Sequence, residues 1–429
     1  MADNGMTREQ YSIGIGDRFG REGVAQLRAL QAALDRGVSI TPVWNKSNRE
    51  HTIIGTSPND TRRAADGAVK NAEWRGAYYV DADHVGIATV DRFLAASDFF
   101  TIDVADFIGR APESDAVARF LKGMAHLKGT LRVSGMADPI EVTEDLLRRI
   151  AHTYLVAIEE AAKVYHLLEV AKGRGTFITE VSVDEASAAQ PPEELLLLLG
   201  GIALAGIPLQ TIAPRFTGSF LKGVDYVGDP AVFAREFEND LAVLAFAHEA
   251  FGLPRELRLS IHSGSDKFSL YPHMHRIARG LSTGFHLKTA GTTWLEEVAG
   301  LAAAGGEGLA VAREIYAESF GRIDEMMAPY RSVVSIDRTN LPDPHLVASW
   351  SSEEFVDALR HNPSSGRFNR DLRQLVHIGF RVAAEMGERF TGLLAECREI
   401  IEPYVTENLL KNHIEPLFLG HTAGERTPA

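Results

Sequence analysis

GAYYVDADHVGIATVDRFLAASDFFTIDVAD, residues 76–106, holds two short runs rich in aromatic and β-branched residues, 76–83 and 99–106, each closing on an aspartate. Runs of that length bounded by polar residues read as buried strands. Outward from this stretch the pattern repeats with amphipathic helical segments between. YSIGIGD (11–17), SITPVWN (39–45), GTFITEVSVD (175–184), IPLQTIAP (207–214), LRLSIHS (257–263) and FHLKTA (285–290) bring the strand candidates to eight. Strands alternating with helices predict a parallel sheet. Eight even units with polar C-terminal ends predict closure into an α/β fold, a (β/α)8 TIM-type barrel, rather than an open doubly wound sheet.

Several helix starts carry their own chemistry: Asp229-Pro230 supplies an N-cap and an N1 proline, and Thr143 precedes Glu144 and Asp145. The helical stretches after the fourth and sixth strands are long, so helical insertions are expected to decorate the barrel. Near 331 the pattern changes. The polar stretch SIDRTNLPDPHLVASWSSEE leads into long helices expected at 367–388 and 391–410. The expected division is a catalytic barrel over 1–330, a helical C-terminal extension packed on it over 331–420, and a flexible tail over 421–429.

Composition narrows the partners. The chain has 429 residues, 45% hydrophobic and 24% charged, which suits a globular protein. A formal charge of −14 gives no electrostatic basis for binding nucleic acid or an anionic membrane, so small molecules are expected instead. The single cysteine, Cys397, excludes an internal disulfide framework and a cysteine zinc cluster. The apolar run LLLLLGGIALAGIPL at 195–209 is broken by glycines and a proline, and the first ten residues look unlike a signal peptide. A cytoplasmic location follows as the expectation.

Side chains from different units of such a barrel converge at the strand C-termini. There the sequence places Asp81, Asp83 and His84; Asp103 and Asp106; Glu180, Asp184 and Glu185; Arg215; and His262 to Lys267. Two histidines with a carboxylate, arriving from different strands, suit a divalent cation. Asp83, next to His84, is the candidate acid or base, with an N-cap as its plainer role. HSGSDKFS offers amides and Lys267 to an anion, through Ser263, Ser265 and Asp266, although a simple helix cap uses the same residues. Lys46, in the donor-rich VWNKSNREH, and Arg215 are candidates for gripping a carboxylate, and Asp81 for binding hydroxyls. GIGDRFG (14–20) imitates a dinucleotide fingerprint, but its third glycine is one residue late and no acidic ribose partner ends the next strand, so it reads as a tight turn. His377 and His413 fall on helices of the extension and are assigned structural roles.

YYVDADHVG, FFTIDVAD, TIAPRFTGSFLKGVDYVGD, IHSGSDKFSLYP, LKTAGT and RQLVHIGFR together resemble the tagaturonate epimerase family. The likeness runs over most of the chain. It implies interconversion of D-tagaturonate and D-fructuronate with a divalent cation, zinc first, with manganese, cobalt and nickel suiting the same donors. These uronates differ at the carbinol carbon β to the ketone, so deprotonation next to the carbonyl would invert the wrong centre. A retro-aldol cleavage and re-addition inverts the right one. On this reading His84 and His262 are metal ligands, and Asp83 and Glu180 serve as acid and base. The patterns after strands three and seven also resemble class II aldolases, but 207–228 contains no histidine to complete that triad, so Gln210 or Glu180 is expected to substitute.

The alternatives are a 4-epimerase acting on a neutral ketose, fructose to tagatose; an aldolase-type lyase that releases its fragments; and a sugar-binding protein on a degenerate barrel. The expected partner is a sugar acid or ketose, with a homo-oligomer left open.

Overall fold

The computed structural model describes residues 10–289, 291–362 and 364–420. The tail expected at 421–429 lies outside the described residues. Eight parallel strands close a barrel, in chain order β1 (Tyr11–Gly14), β2 (Ile40–Ser47), β3 (Tyr79–Val85) and β4 (Phe99–Asp103), then, after a hairpin of β5 (Gly129–Leu131) and β6 (Ile140–Val142), β7 (Ile178–Ser182), β8 (Thr211–Ala213), β9 (Arg258–His262) and β10 (Phe285–Lys288). β1 pairs with both β2 and β10, which completes the ring, and β4 pairs directly with β7 across the insertion. This is the barrel that the alternation of the sequence predicts. The β5–β6 hairpin has no counterpart in that reading, because strands of three residues are too short to show a period of two.

Alternation along the strands sorts the side chains. Val80, Ala82, Phe100, Ile102, Val181, Ile212, Leu259, Ile261 and Leu287 point outward into the main core beneath the helices. Val43, Tyr79, Phe99 and Ile178 point inward and form a small apolar plug inside the barrel. Two residues further along each of these four strands come Asn45, Asp81, Thr101 and Glu180, all buried. The barrel interior therefore changes from apolar to polar within one layer as it approaches the strand C-termini.

The insertion helix Glu144–Lys172 starts where Thr143 accepts the Leu146 N–H at 3.1 Å, and Asp229 caps the helix Pro230–Phe251 through the Ala231 N–H at 2.8 Å. Among the described residues no helix is long and apolar enough to cross a membrane. A second apolar core joins the helix after β10, Thr292–Ala304, to the chain beyond it through Trp294, Leu295, Ile315, Leu375, Phe390 and Ile401. The two long helices expected at 367–388 and 391–410 are in fact divided into Arg370–Ile378, Phe380–Glu385, Glu388–Glu396 and Arg398–Glu407, followed by a π-helical segment Asn408–Leu419. Glycines make two of the breaks. Gly379 turns the chain with its N–H on the Val376 carbonyl, and Gly387 takes φ +58°, outside the right-handed helical region.

Candidate active site and metal centre

A crevice of about 240 Å3 opens at the C-terminal mouth of the barrel, and Asp83, His84, Asp184, His262 and Lys288 line its inner part. Regular alternation would point only one of Asp83 and His84 inward. The pairing of β3 with β4 shifts register between Ala82 and Val85, and His84 takes φ +53°, a left-handed conformation unusual for a residue with a side chain. Both side chains reach the crevice as a result. Such local strain at a site is held by the surrounding structure, here by Asp103, whose Oδ2 lies 3.0 Å from His84 Nδ1.

His262, at the end of β9, meets His84 edge to face with ring centroids 5.1 Å apart. One ligand atom from each of His84, Asp184 and His262 lies within 4.8 Å of the others. Asp184, two residues past β7, is oriented by the Ser182 hydroxyl, which donates to its Oδ1. Each imidazole is anchored by a carboxylate on one nitrogen, His84 by Asp103 and His262 by Glu180 Oε1, 2.9 Å from Nε2. The buried Nδ1 of His262 stands 3.1 Å from Asp184 Oδ2, close enough for the two to share a proton or a cation. Two imidazoles oriented by carboxylates, with a third carboxylate converging on them, fit a divalent cation. Burial opposes charge on both rings, but the carboxylates outweigh it. Asp83, Asp103 and Asp184 push His84 up to about 10, and Asp184 and Glu180 push His262 up to about 9. Without a cation this is a well of negative potential that holds protons instead.

Beneath this cluster lies Lys288, whose Nζ sits 2.9 Å from Asp81 Oδ2, 2.8 Å from Asp83 Oδ1 and 3.1 Å from Glu180 Oε1. Burial would neutralise a lone ammonium, but three carboxylates raise its pKa well above the usual lysine value. The lysine in turn splits the aspartates. Burial keeps the deeper Asp81 raised, whereas for Asp83 the Lys288, His84 and His262 charges overcome burial and hold it down. Glu180 is also kept ionised, against burial, by Lys288 and His262.

The other residues singled out from the sequence separate into two groups. Asp83, His84, His262 and Arg215 line the crevice, and Arg215 donates to the Asp184 carbonyl at 3.3 Å. Glu180 and Asp81 lie just below it, fully buried against Lys288. Gln210 is no ligand: it precedes β8 at the far end of the barrel, and its Oε1 accepts the Thr179 N–H at 2.8 Å. Lys46 does not grip substrate either, because strand alternation turns it away and its Nζ donates to the Arg18 carbonyl at 2.6 Å. Asp266 is sequestered among Arg373 at 2.5 Å, His361 at 3.0 Å and His413 at 3.3 Å. Lys267 donates to the Leu221 and Val224 carbonyls at 2.9 and 2.7 Å. Ser263 donates to the Lys288 carbonyl, and Ser265 accepts the Gly223 N–H. HSGSDKFS is therefore a clamp on neighbouring loops rather than an anion cradle. The sequence reading passed over Lys288 altogether, although the inward spacing of His286 and Lys288 in FHLK was its signal. Asp184 stood among the acidic residues without being assigned as a ligand.

The mouth of this barrel combines a histidine and carboxylate triad with an ammonium held by carboxylates, and comparison with known proteins gives it a family. Residues 2–415 match the model of the tagaturonate epimerases. The chain belongs to that family. A tagaturonate/fructuronate epimerase of Thermotoga maritima is 29% identical over 422 residues, 95% of this chain and 80% of that protein. Crystal structures of the fructuronate-tagaturonate epimerase of Cohnella laeviribosi superpose with TM-scores of 0.79 for a glycerol complex and 0.78 for the native form, at 26% and 27% identity. Each covers 96% of this chain and 82% of the other. Members of an epimerase family are isomerases.

Proposed function

We propose that this chain interconverts D-tagaturonate and D-fructuronate, with one divalent cation held by His84, Asp184 and His262. The observation that carries the reading is the convergence of those three ligand atoms within 4.8 Å at the mouth of the barrel. A cation bound there supplies Lewis acidity toward the substrate ketone.

The chain's own groups supply the proton chemistry. Asp83 faces the crevice as a carboxylate and takes the proton of the hydroxyl on the carbon to be inverted. The adjacent carbon–carbon bond then breaks, its electron pair moving toward the ketone, and leaves an aldehyde and an enediolate fragment. Rotation of the aldehyde and re-addition on its other face give the epimer, and Asp83 returns the proton. Lys288, 2.8 Å from Asp83, keeps that carboxylate ionised and positioned. Glu180 receives a different part from the one expected of it. Fully buried between His262 and Lys288, it orients both and touches the crevice only through them.

The test is turnover of both uronates by purified protein, before and after chelation, with an aldehyde trap present. Epimer formation that chelation abolishes and metal restores supports the proposal. Absence of uronate turnover, turnover indifferent to chelation, or free aldehyde accumulating as fast as epimer would each reject it.

A further inference from the structure

Besides Lys288, four lysine and arginine side chains line the crevice, and they differ in what they are already bonded to. Arg18 pairs with Glu50 and stacks 4.1 Å over the Phe380 ring. Arg49 donates to the Pro329 carbonyl at 2.9 Å, and Arg215 to that of Asp184. Among the described residues, the ammonium of Lys222 makes no hydrogen bond or ion pair; it faces the ring of Tyr330, 5.6 Å from Nζ to the ring centroid.

The backbone around Lys222 is tightly tied, whereas its ammonium has no hydrogen-bonding partner among the described residues. Its own N–H donates to the Val333 carbonyl at 2.8 Å. Lys267 holds the carbonyls of Leu221 and Val224, Arg373 holds that of Gly223 at 2.6 Å, and the Gly223 N–H reaches Ser265 at 3.0 Å. Three buried polar side chains thus fix a four-residue segment whose Lys222 side chain enters the crevice. Burial first, and then the nearby Arg18 and Arg49, push its pKa down to about 8, against the opposing pull of Glu50 and Asp83. Glu50 is paired with Arg18 and Asp83 with Lys288, so neither carboxylate bonds the Lys222 ammonium, which is left able to take a ligand anion.

We propose that Lys222 receives the substrate's carboxylate, with Arg49 beside it on the same Tyr330 ring, and that it makes the site selective for a uronate over the neutral ketose of the same skeleton. Arg49 stands 5.0 Å from the centroid of that ring and Lys222 5.6 Å, so both cations adjoin the same aromatic side chain. Of the acidic groups that line the crevice, Asp184 belongs to the proposed cation site and Glu50 is neutralised by Arg18, so an anionic substrate is expected to place its ketone toward the cation and its carboxylate toward Lys222. This inference rests on the uronate epimerase reading above.

The experiment compares the metal-loaded wild-type protein with Lys222→Met and Lys222→Arg on D-fructuronate and on D-fructose, its 6-alcohol counterpart. Where fructose turns over too slowly, its inhibition constant replaces kcat/KM. Lys222→Met is expected to lower the preference for the uronate by about 10- to 100-fold, as loss of a charge-assisted hydrogen bond does, mainly through KM. Lys222→Arg is expected to keep part of that preference. A preference unchanged in Lys222→Met, or equal losses on both sugars, would overturn the assignment while leaving the epimerase reading intact. Wild-type protein that turns over neither uronate would overturn both.

Discussion

Lys288 Nζ and Asp83 Oδ1 lie 2.8 Å apart although 205 positions separate them in the chain, because β3 and β10 both send side chains to the barrel axis. That contact keeps the proposed base ionised. It also supports a ring of acids that would otherwise repel one another, since Asp81 and Glu180 share the same ammonium. Replacing Lys288 by Met is expected to lower kcat by about 10² to 10⁴, the range for loss of acid–base function. Metal content is expected to stay at the wild-type level, because Lys288 is outside the ligand set. A variant with kcat within twofold of wild type would contradict the role.

Asp266 tests the reassignment of HSGSDKFS. Its carboxylate is buried among Arg373, His361 and His413. Asp266→Asn breaks a buried ion pair and is expected to cost about 3–5 kcal/mol. Burial alone would raise this carboxyl, but Arg373 and the two histidines hold it well below its ordinary 3.8. The group therefore binds fewer protons folded than unfolded. Its stabilisation is complete above that ordinary value and drains away as pH falls toward the lower folded value. Thermal melts of the two proteins should differ fully at pH 7 and converge as the pH drops below about 4. A gap that stays constant down to pH 3 would refute the linkage.

Gln210 separates a floor residue from a ligand. Its side chain accepts a main-chain N–H before β8, so Gln210→Ala should lose about 1–3 kcal/mol of stability and leave the metal stoichiometry alone. Loss of metal in this variant would restore it to the ligand set.

Lys267→Met should loosen the segment that presents Lys222. The expected sign is a rise in KM for the uronate of about tenfold, one lost hydrogen-bonding group's worth, with a smaller change in kcat. Steady-state kinetics showing kcat alone reduced would point instead to disturbance of the metal centre.

Much of the barrel was legible because each strand is a β-branched or aromatic run with a polar C-terminal end, and hydrophobic patterning carries that information locally. His84 and His262 could be paired in advance because equivalent depth in a barrel follows from position along the strand. The third ligand could not be read. Asp184 lies in coil beyond β7, where no period fixes its direction, and it is the Ser182 hydroxyl that turns it inward. Lys288 was hidden by its setting, as a lysine in a four-residue strand is ordinarily a solvated end, and only closure of the ring places it between Asp81, Asp83 and Glu180. Asp266 and Lys267 were misread for a related reason. A turn rich in donors looks the same whether it faces a ligand or the carbonyls of a neighbouring loop.

The most direct test of the account is an anomalous difference map from crystals of this protein soaked in manganese and measured at its absorption edge. One peak is expected, about 2.0–2.3 Å from a nitrogen of His84, a nitrogen of His262 and a carboxylate oxygen of Asp184. A peak outside that triad, or none at saturating manganese, would contradict it.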